Sequence, residues 1–171
     1  METIAVYWEP VISTYGIAER TGLSMITYPL RRDPCDDSVC SVFQQVAPRG
    51  DMVLAFMHPA IDGELRLHLV LAGVPAHFSL EGSAASNGSR LLSGPRMYSP
   101  VEVIYFQGPH FGDRYGIADA AFGALNHHGV PLLAVACSGA SIYMVLPGGT
   151  ARAARQALSA AFAVPDRNGG V

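Results

Sequence analysis

The chain is 171 residues long, half of them apolar, with a formal charge of −3 and no lysine. That composition supports one domain or two small ones around a real core, and it excludes both disorder as the default and the basic stripe that a nucleic-acid backbone requires. Three cysteines, an odd number, with Cys35 and Cys40 spaced for different sides of a helix, argue against a disulfide framework and for a reducing cytoplasm.

The opening "METIAVYWEP" carries Glu2 and Glu9 and no basic run, so it is not a signal peptide and the chain is expected to start as mature protein. Residues Ile4–Trp8 and Leu23–Leu30 are β-branched, aromatic or aliphatic and predict two strands, with "STYG" between them as turn material. Asp33-Pro34 supplies an N-cap and a first-turn proline, with Asp36 and Asp37 where carboxylates favour the helix dipole. The helix predicted there buries Cys35, Val39, Val42, Phe43 and Val46 and ends at Pro48 and Gly50. "DMVLAFMHPA" and "ELRLHLVLAG", joined through Asp62-Gly63, predict a β-hairpin in which Leu65, Leu67 and Leu69 alternate with Arg66 and His68.

The pattern then dissolves into glycine, serine, alanine and proline, and residues 76–98 are expected to form a flexible linker between a first unit, 1–75, and a second, 99–171. The second unit reads strand Val101–Gln107, helix Gly116–His128, strand Leu132–Cys137, strand Ser141–Leu146 and a helix from Ala151. Thr150 is its expected cap, and Ala151, Ala154, Leu158, Ala161 and Phe162 its buried stripe. No charged residue occurs between Asp119 and Arg152, yet Asn126-His127-His128-Gly129, Pro131 and Ser138-Gly139-Ala140-Ser141 cut that stretch into pieces too short to span a membrane. Both halves share the order strand, helix, strand, strand. This is the α+β, ferredoxin-like βαββαβ arrangement, with helices on one face of an antiparallel sheet, used twice.

The stretch from Asp113 carries more than a fold. Asp113-Arg114-Tyr115-Gly116-Ile117-Ala118, then Phe122, Leu125 and Gly129-Val130, followed in register by "CSGASIYMVLP" and "ARAARQALSAAF", resembles the ACT domains at the C-terminus of aspartokinases. In that family "D-x-P-G-v-A-x-x-F-x-x-L-x-x-x-G-I-N" joins the first strand to the first helix. Here Tyr115 replaces the proline, and Pro131 replaces the asparagine that opens the second strand. The first half resembles a divergent second unit, with Arg32-Asp33-Pro34 at the equivalent position, and the kinase domain is absent. The resemblance implies a regulatory tandem ACT pair whose ligand-binding residues are Asp113, Tyr115, Gly116, Ile117, Ala118, Val130, Leu132, Ser138 and Ser141. It also implies a homodimer that places the 108–118 loop at the shared boundary.

Elementary chemistry points to the same loop. A helix starting at Gly116 leaves first-turn N–H groups unpartnered and favours an anion there, and glycine lets a ligand approach the backbone. Asp113 either caps that helix or binds a ligand ammonium, since both uses compete for the same oxygens. Ser138 and Ser141 serve equally as turn residues. His127-His128 suits the last carbonyls of a helix, and His58 and His68 face each other if the hairpin register allows, without a third ligand for a metal. There is no G-x-S-x-G, no H-E-x-x-H and no P-loop lysine. The expectation is a cytoplasmic, non-enzymatic, cofactor-free regulator that binds a small amino acid or related metabolite and acts on a metabolic enzyme. No nucleic-acid or membrane partner is expected. An assembly module without ligand, or a small-molecule enzyme on the same fold, is the rival.

Overall fold

The computed structural model describes residues 11–30, 38–46, 51–60, 63–73, 94–109, 111–112 and 114–165. In chain order these form β1 (Ile12–Ser13), β2 (Gly16–Leu30), α1 (Ser38–Val46), β3 (Met52–Pro59), β4 (Leu65–Ala72), β5 (Arg96–Gln107), α2 (Ile117–His127), β6 (Ala134–Ser138), β7 (Ser141–Pro147), α3 (Ala151–Ala161) and β8 (Phe162–Ala163). Contacts divide the chain into two compact units, Gly22–Val101 and Met1–Thr21 with Glu102–Val171. The second unit therefore includes residues of the N-terminal segment, and the long strands β2 and β5 each contribute to both.

In the Gly22–Val101 unit the strands run in the order β3-β4-β2-β5. The antiparallel hairpin of β3 and β4 forms as its period predicts, with Ala55 opposite Leu69 and Met57 opposite Leu67. Gly63, at φ 80°, donates its N–H to the Ala60 carbonyl in the connecting turn. The core of this unit packs Val42 and Val46 of α1 on Ile26, Tyr28 and Leu30 of β2 and on Leu67, Leu69 and Leu71 of β4. β2 is buried continuously from Leu23 to Leu30, so both of its faces are covered. His68 is the departure from the expected polar-outward alternation: it is buried too.

The other unit contains βαββαβ in sequence, β5 to β8, with strand order β2-β5-β7-β6. Its core draws Ile104 and Phe106 from β5, Ile117, Ala121 and Leu125 from α2, Ile142, Met144 and Leu146 from β7, and Ala154 and Leu158 from α3. β6 and β7 pair antiparallel through a short turn, with Ser138 opposite Ser141. α2 ends in a Schellman motif. Gly129, at φ 64°, donates to the Asn126 carbonyl, and the Val130 N–H reaches the Leu125 carbonyl at 2.9 Å, while the two side chains share the core.

Several expectations need correction. The turn material "STYG" is partly strand, because Ser13 lies in β1 and Gly16 opens β2; β1 pairs parallel with β8, and Thr14 donates its backbone N–H and its hydroxyl to the Ala163 carbonyl. The last residues of the expected linker, Arg96–Tyr98, begin β5. Residues 74–93, Ile4–Trp8, Asp33-Pro34, Cys35 and the end of the first helix at Pro48 and Gly50 lie outside the described residues. In α3 the buried stripe takes Ala157 in place of the exposed Ala161, and Phe162 is buried from β8. Thr150 occupies the N-cap position but turns its hydroxyl to the Pro147 carbonyl at 2.7 Å; the Ala151 N–H is instead accepted by the Glu102 carboxylate at 2.6 Å. No helix among the described residues is long and apolar enough to cross a membrane.

Candidate ligand-binding site

The loop leaving β5 is fixed at its start. Gly108 is buried, and a Cβ at that position would collide with the Ser13 carbonyl oxygen and with the Phe111 ring. Phe111 itself stands edge-on to Phe106, with ring centroids 5.9 Å apart. At its far end the loop reaches Gly116, whose φ of 83° lies in the left-handed region where a side chain is strained. Gly116 is the N-cap residue of α2, its carbonyl accepts the Ala120 N–H at 2.9 Å, and no described side chain caps the helix. Among the described residues, therefore, no side chain accepts from the first-turn N–H groups, which suit an anion.

A cleft of about 360 Å³ opens at that helix end. One lip is Gly112, Arg114, Tyr115, Gly116 and Ala118; the other is the β6–β7 turn, with Cys137, Ser138 and Gly139. Phe111, Ile117 and Ile142, all buried members of the core, supply the apolar floor. The lips come close at the base, where a Cβ on Gly112 would lie 3.3 Å from the Gly139 carbonyl oxygen. Tyr115 is 98 % exposed. Partial burial pushes the Cys137 thiol pKa up, so it stays protonated at neutral pH and does not oppose an anion. A site of this size, with an apolar floor, helix N–H groups and the Arg114 cation, suits a small molecule that carries a carboxylate and an apolar portion.

Five of the residues implied by sequence meet here: Tyr115, Gly116, Ile117, Ala118 and Ser138. Asp113 lies outside the described residues. Val130 does not line the cleft; it is the core residue that closes the Schellman motif, and Leu132 packs against the same core. Ser141 turns away, with its hydroxyl 3.5 Å from Gln107 Oε1, beside the stacked rings of Tyr105 and Tyr143. Sequence reasoning passed over Phe111, Gly112, Arg114, Cys137, Gly139 and Ile142 as lining residues. Arg114 had a signal, as the only cation between Arg96 and Arg152. Among the described residues no group of three or more histidine, cysteine or carboxylate side chains could hold a metal ion.

No protein-family model matches the sequence, nor does any curated protein sequence. Solved structures do match its fold, which is the ferredoxin-like ACT fold, among them regulatory subunits of aspartate kinase. The regulatory subunit of aspartate kinase from Thermus flavus superposes with a TM-score of 0.71 over 87 % of this chain and 98 % of its own, at 18 % identity. The ligand-free regulatory subunit from Thermus thermophilus gives 0.65 over 88 % and 99 %, also at 18 % identity. E. coli aspartokinase III in complex with lysine and aspartate gives 0.61 at 15 % identity, over 91 % of this chain and 35 % of that one. At such identities the likeness is one of fold, a ferredoxin-like ACT fold.

Proposed function

We propose that this protein is a non-catalytic regulator that binds a small amino acid or a related metabolite in the cleft at the start of α2. The observation that carries the reading is the left-handed Gly116 opening α2, a helix with no side-chain cap among the described residues, into a cleft of about 360 Å³. The ligand carboxylate docks on the first-turn N–H groups beside Arg114, its ammonium pairs with Asp113, and its side chain lies over Ile117 and Ile142. That a structure of the same fold is described as a complex with lysine and aspartate supports an amino acid over other small anions. The effector acts by favouring one packing of the ACT-like units, and a metabolic enzyme in the cytoplasm reads that packing. The protein works as a homodimer with two-fold symmetry, with the loop of residues 108–118 near its interface.

A thermal-shift screen of free amino acids tests this. A ligand selective for the folded state stabilises by about 2.7 kcal/mol at a hundredfold excess over Kd, which for a domain of this length raises Tm by several degrees. A shift seen with wild type and absent in Asp113→Ala, whose circular dichroism is unchanged, supports the assignment. If no amino acid shifts Tm, the protein is an assembly module instead.

A further inference from the structure

The Gly22–Val101 unit holds a polar chain, buried at Thr27 and His68 and half-exposed at His58, on the face of its strands opposite α1. Leu67 and Leu69 pack toward Val42 of α1, so alternation sends His68 to the other face, where it is 5 % exposed. His68 Nδ1 lies 2.9 Å from Oγ1 of Thr27, its direct partner on β2. His68 Nε2 lies 2.9 Å from Nε2 of His58 on β3, with the two ring planes 22° apart. His58 Nδ1 is in turn 3.1 Å from the Pro59 carbonyl oxygen. Phe56, opposite His68 in register, lays its ring against the imidazole at a centroid distance of 4.8 Å.

The proton positions follow from the end of the chain. A carbonyl oxygen can only accept, so His58 donates from Nδ1, and a neutral His58 is an acceptor at Nε2. His68 must then donate from Nε2 and accept at Nδ1, where the Thr27 hydroxyl donates. The chain runs one way, from Thr27 through His68 and His58 to Pro59, and it exists in this form only while both imidazoles are neutral.

We propose that this chain is a proton-sensitive latch that ties the edge strand β3 to β4 and β2 and releases it on acidification. A proton added to His58 sets N–H against N–H at the junction. That contact survives only if His68 moves its own proton to Nδ1 and the Thr27 hydroxyl reverses, and a second proton has no arrangement at all. The surroundings of His68 oppose a charge on that ring. Among the described residues the charged or titratable groups acting on His68 are His58 from β3 and Arg66 from β4; β2 presents the uncharged Thr27, and α1 packs on the other face. Burial first, then His58, then Arg66 lower the His68 pKa to about 4. In the unfolded chain the group titrates near 6.5, so the latch contributes fully above that pH and its contribution is lost as pH falls toward 4.

Nitrogen-15 histidine spectra of the full chain give the direct test. At pH 7.5 His58 is expected as the Nδ1–H tautomer and His68 as the Nε2–H tautomer, with His68 still neutral at pH 5; an ordinary midpoint near 6.5 for His68 overturns the proposal. Amide exchange, corrected for its intrinsic pH dependence, should show protection of β3 falling between pH 7 and pH 5 while that of β7 holds, and equal protection of β3 at both pH values refutes release. Denaturant titrations of His68→Leu should change the ratio of wild-type to variant unfolding constants about tenfold between pH 6.5 and 5. A ratio independent of pH refutes the linkage, and the two wild-type measurements decide the question if the variant does not fold.

Discussion

Gly108 and Gly116 bound one loop and are required for different reasons. At Gly108 space is the constraint: the Ser13 carbonyl and the Phe111 ring occupy the volume of a Cβ, and one of those atoms is backbone that cannot swing aside. Gly108→Ala is expected to destabilise by about 1–3 kcal/mol, the range for forcing an extra carbon into a packed site, measured by urea unfolding. At Gly116 nothing stands within 4 Å of a built Cβ, and the constraint is the φ of 83° alone. Gly116→Ala is expected to lose about 1–2 kcal/mol, and Gly116→Asn less, because asparagine tolerates the left-handed region better. Equal stability of all three chains would show that the turn relaxes. The same contrast applies to the ligand. Gly116 also lines the cleft, so Gly116→Asn should weaken amino-acid binding in calorimetry more than its small stability loss suggests.

At the scale of elements, what could be read from sequence was what repeats locally. The hairpin of β3 and β4 was legible from period and turn chemistry, and α2, β6, β7 and α3 from periodicity bounded by glycine and proline. β1 and β8 were not, because strands of two residues have no period and their pairing joins opposite ends of the chain. The start of β5 at Arg96 was hidden by Pro95 and Pro100, which read as breakers when no neighbouring strand is in view. Burial of His68 was hidden by its alternation with leucine, which looks the same whether the second face meets water or protein. In the candidate site the loop and helix start were visible as a motif, whereas the opposite lip depends on β6 and β7 folding back to bring Cys137 and Ser138 to α2. The cap of α3 shows the same limit. Thr150 stands where a cap belongs, but the carboxylate that accepts the Ala151 N–H comes from Glu102, far away in sequence. Glu102→Ala is therefore expected to destabilise by about 1–2 kcal/mol through loss of a charged acceptor at a helix N-terminus, with Thr150→Ala costing less. Chemical denaturation of the two variants checks the order, and the reverse order would return the capping role to threonine.

For the molecule as a whole, strand order poses the question of association. β3 ends the order in one unit and β6 ends it in the other, so among the described strands each presents N–H and C=O groups on a side without a neighbour. Proteins commonly blunt such edges with lysine, and this chain has none. The two edges differ in what they show. Met52 and Met57 on β3 are 42 % and 49 % exposed, while Ala134 of β6 is buried. Two exposed methionines on an edge strand make the more adaptable surface for a second copy. The proposed homodimer is accordingly expected to need the β3 edge as well as the 108–118 loop, and static light scattering at micromolar concentration should give twice the chain mass for wild type and a single chain mass for Met57→Lys. A charge placed on the edge opposes pairing without touching the core, so the variant should keep its circular dichroism. A dimer unaffected by Met57→Lys would move the interface away from β3, and a single chain mass for wild type across the concentration range would end the dimer proposal.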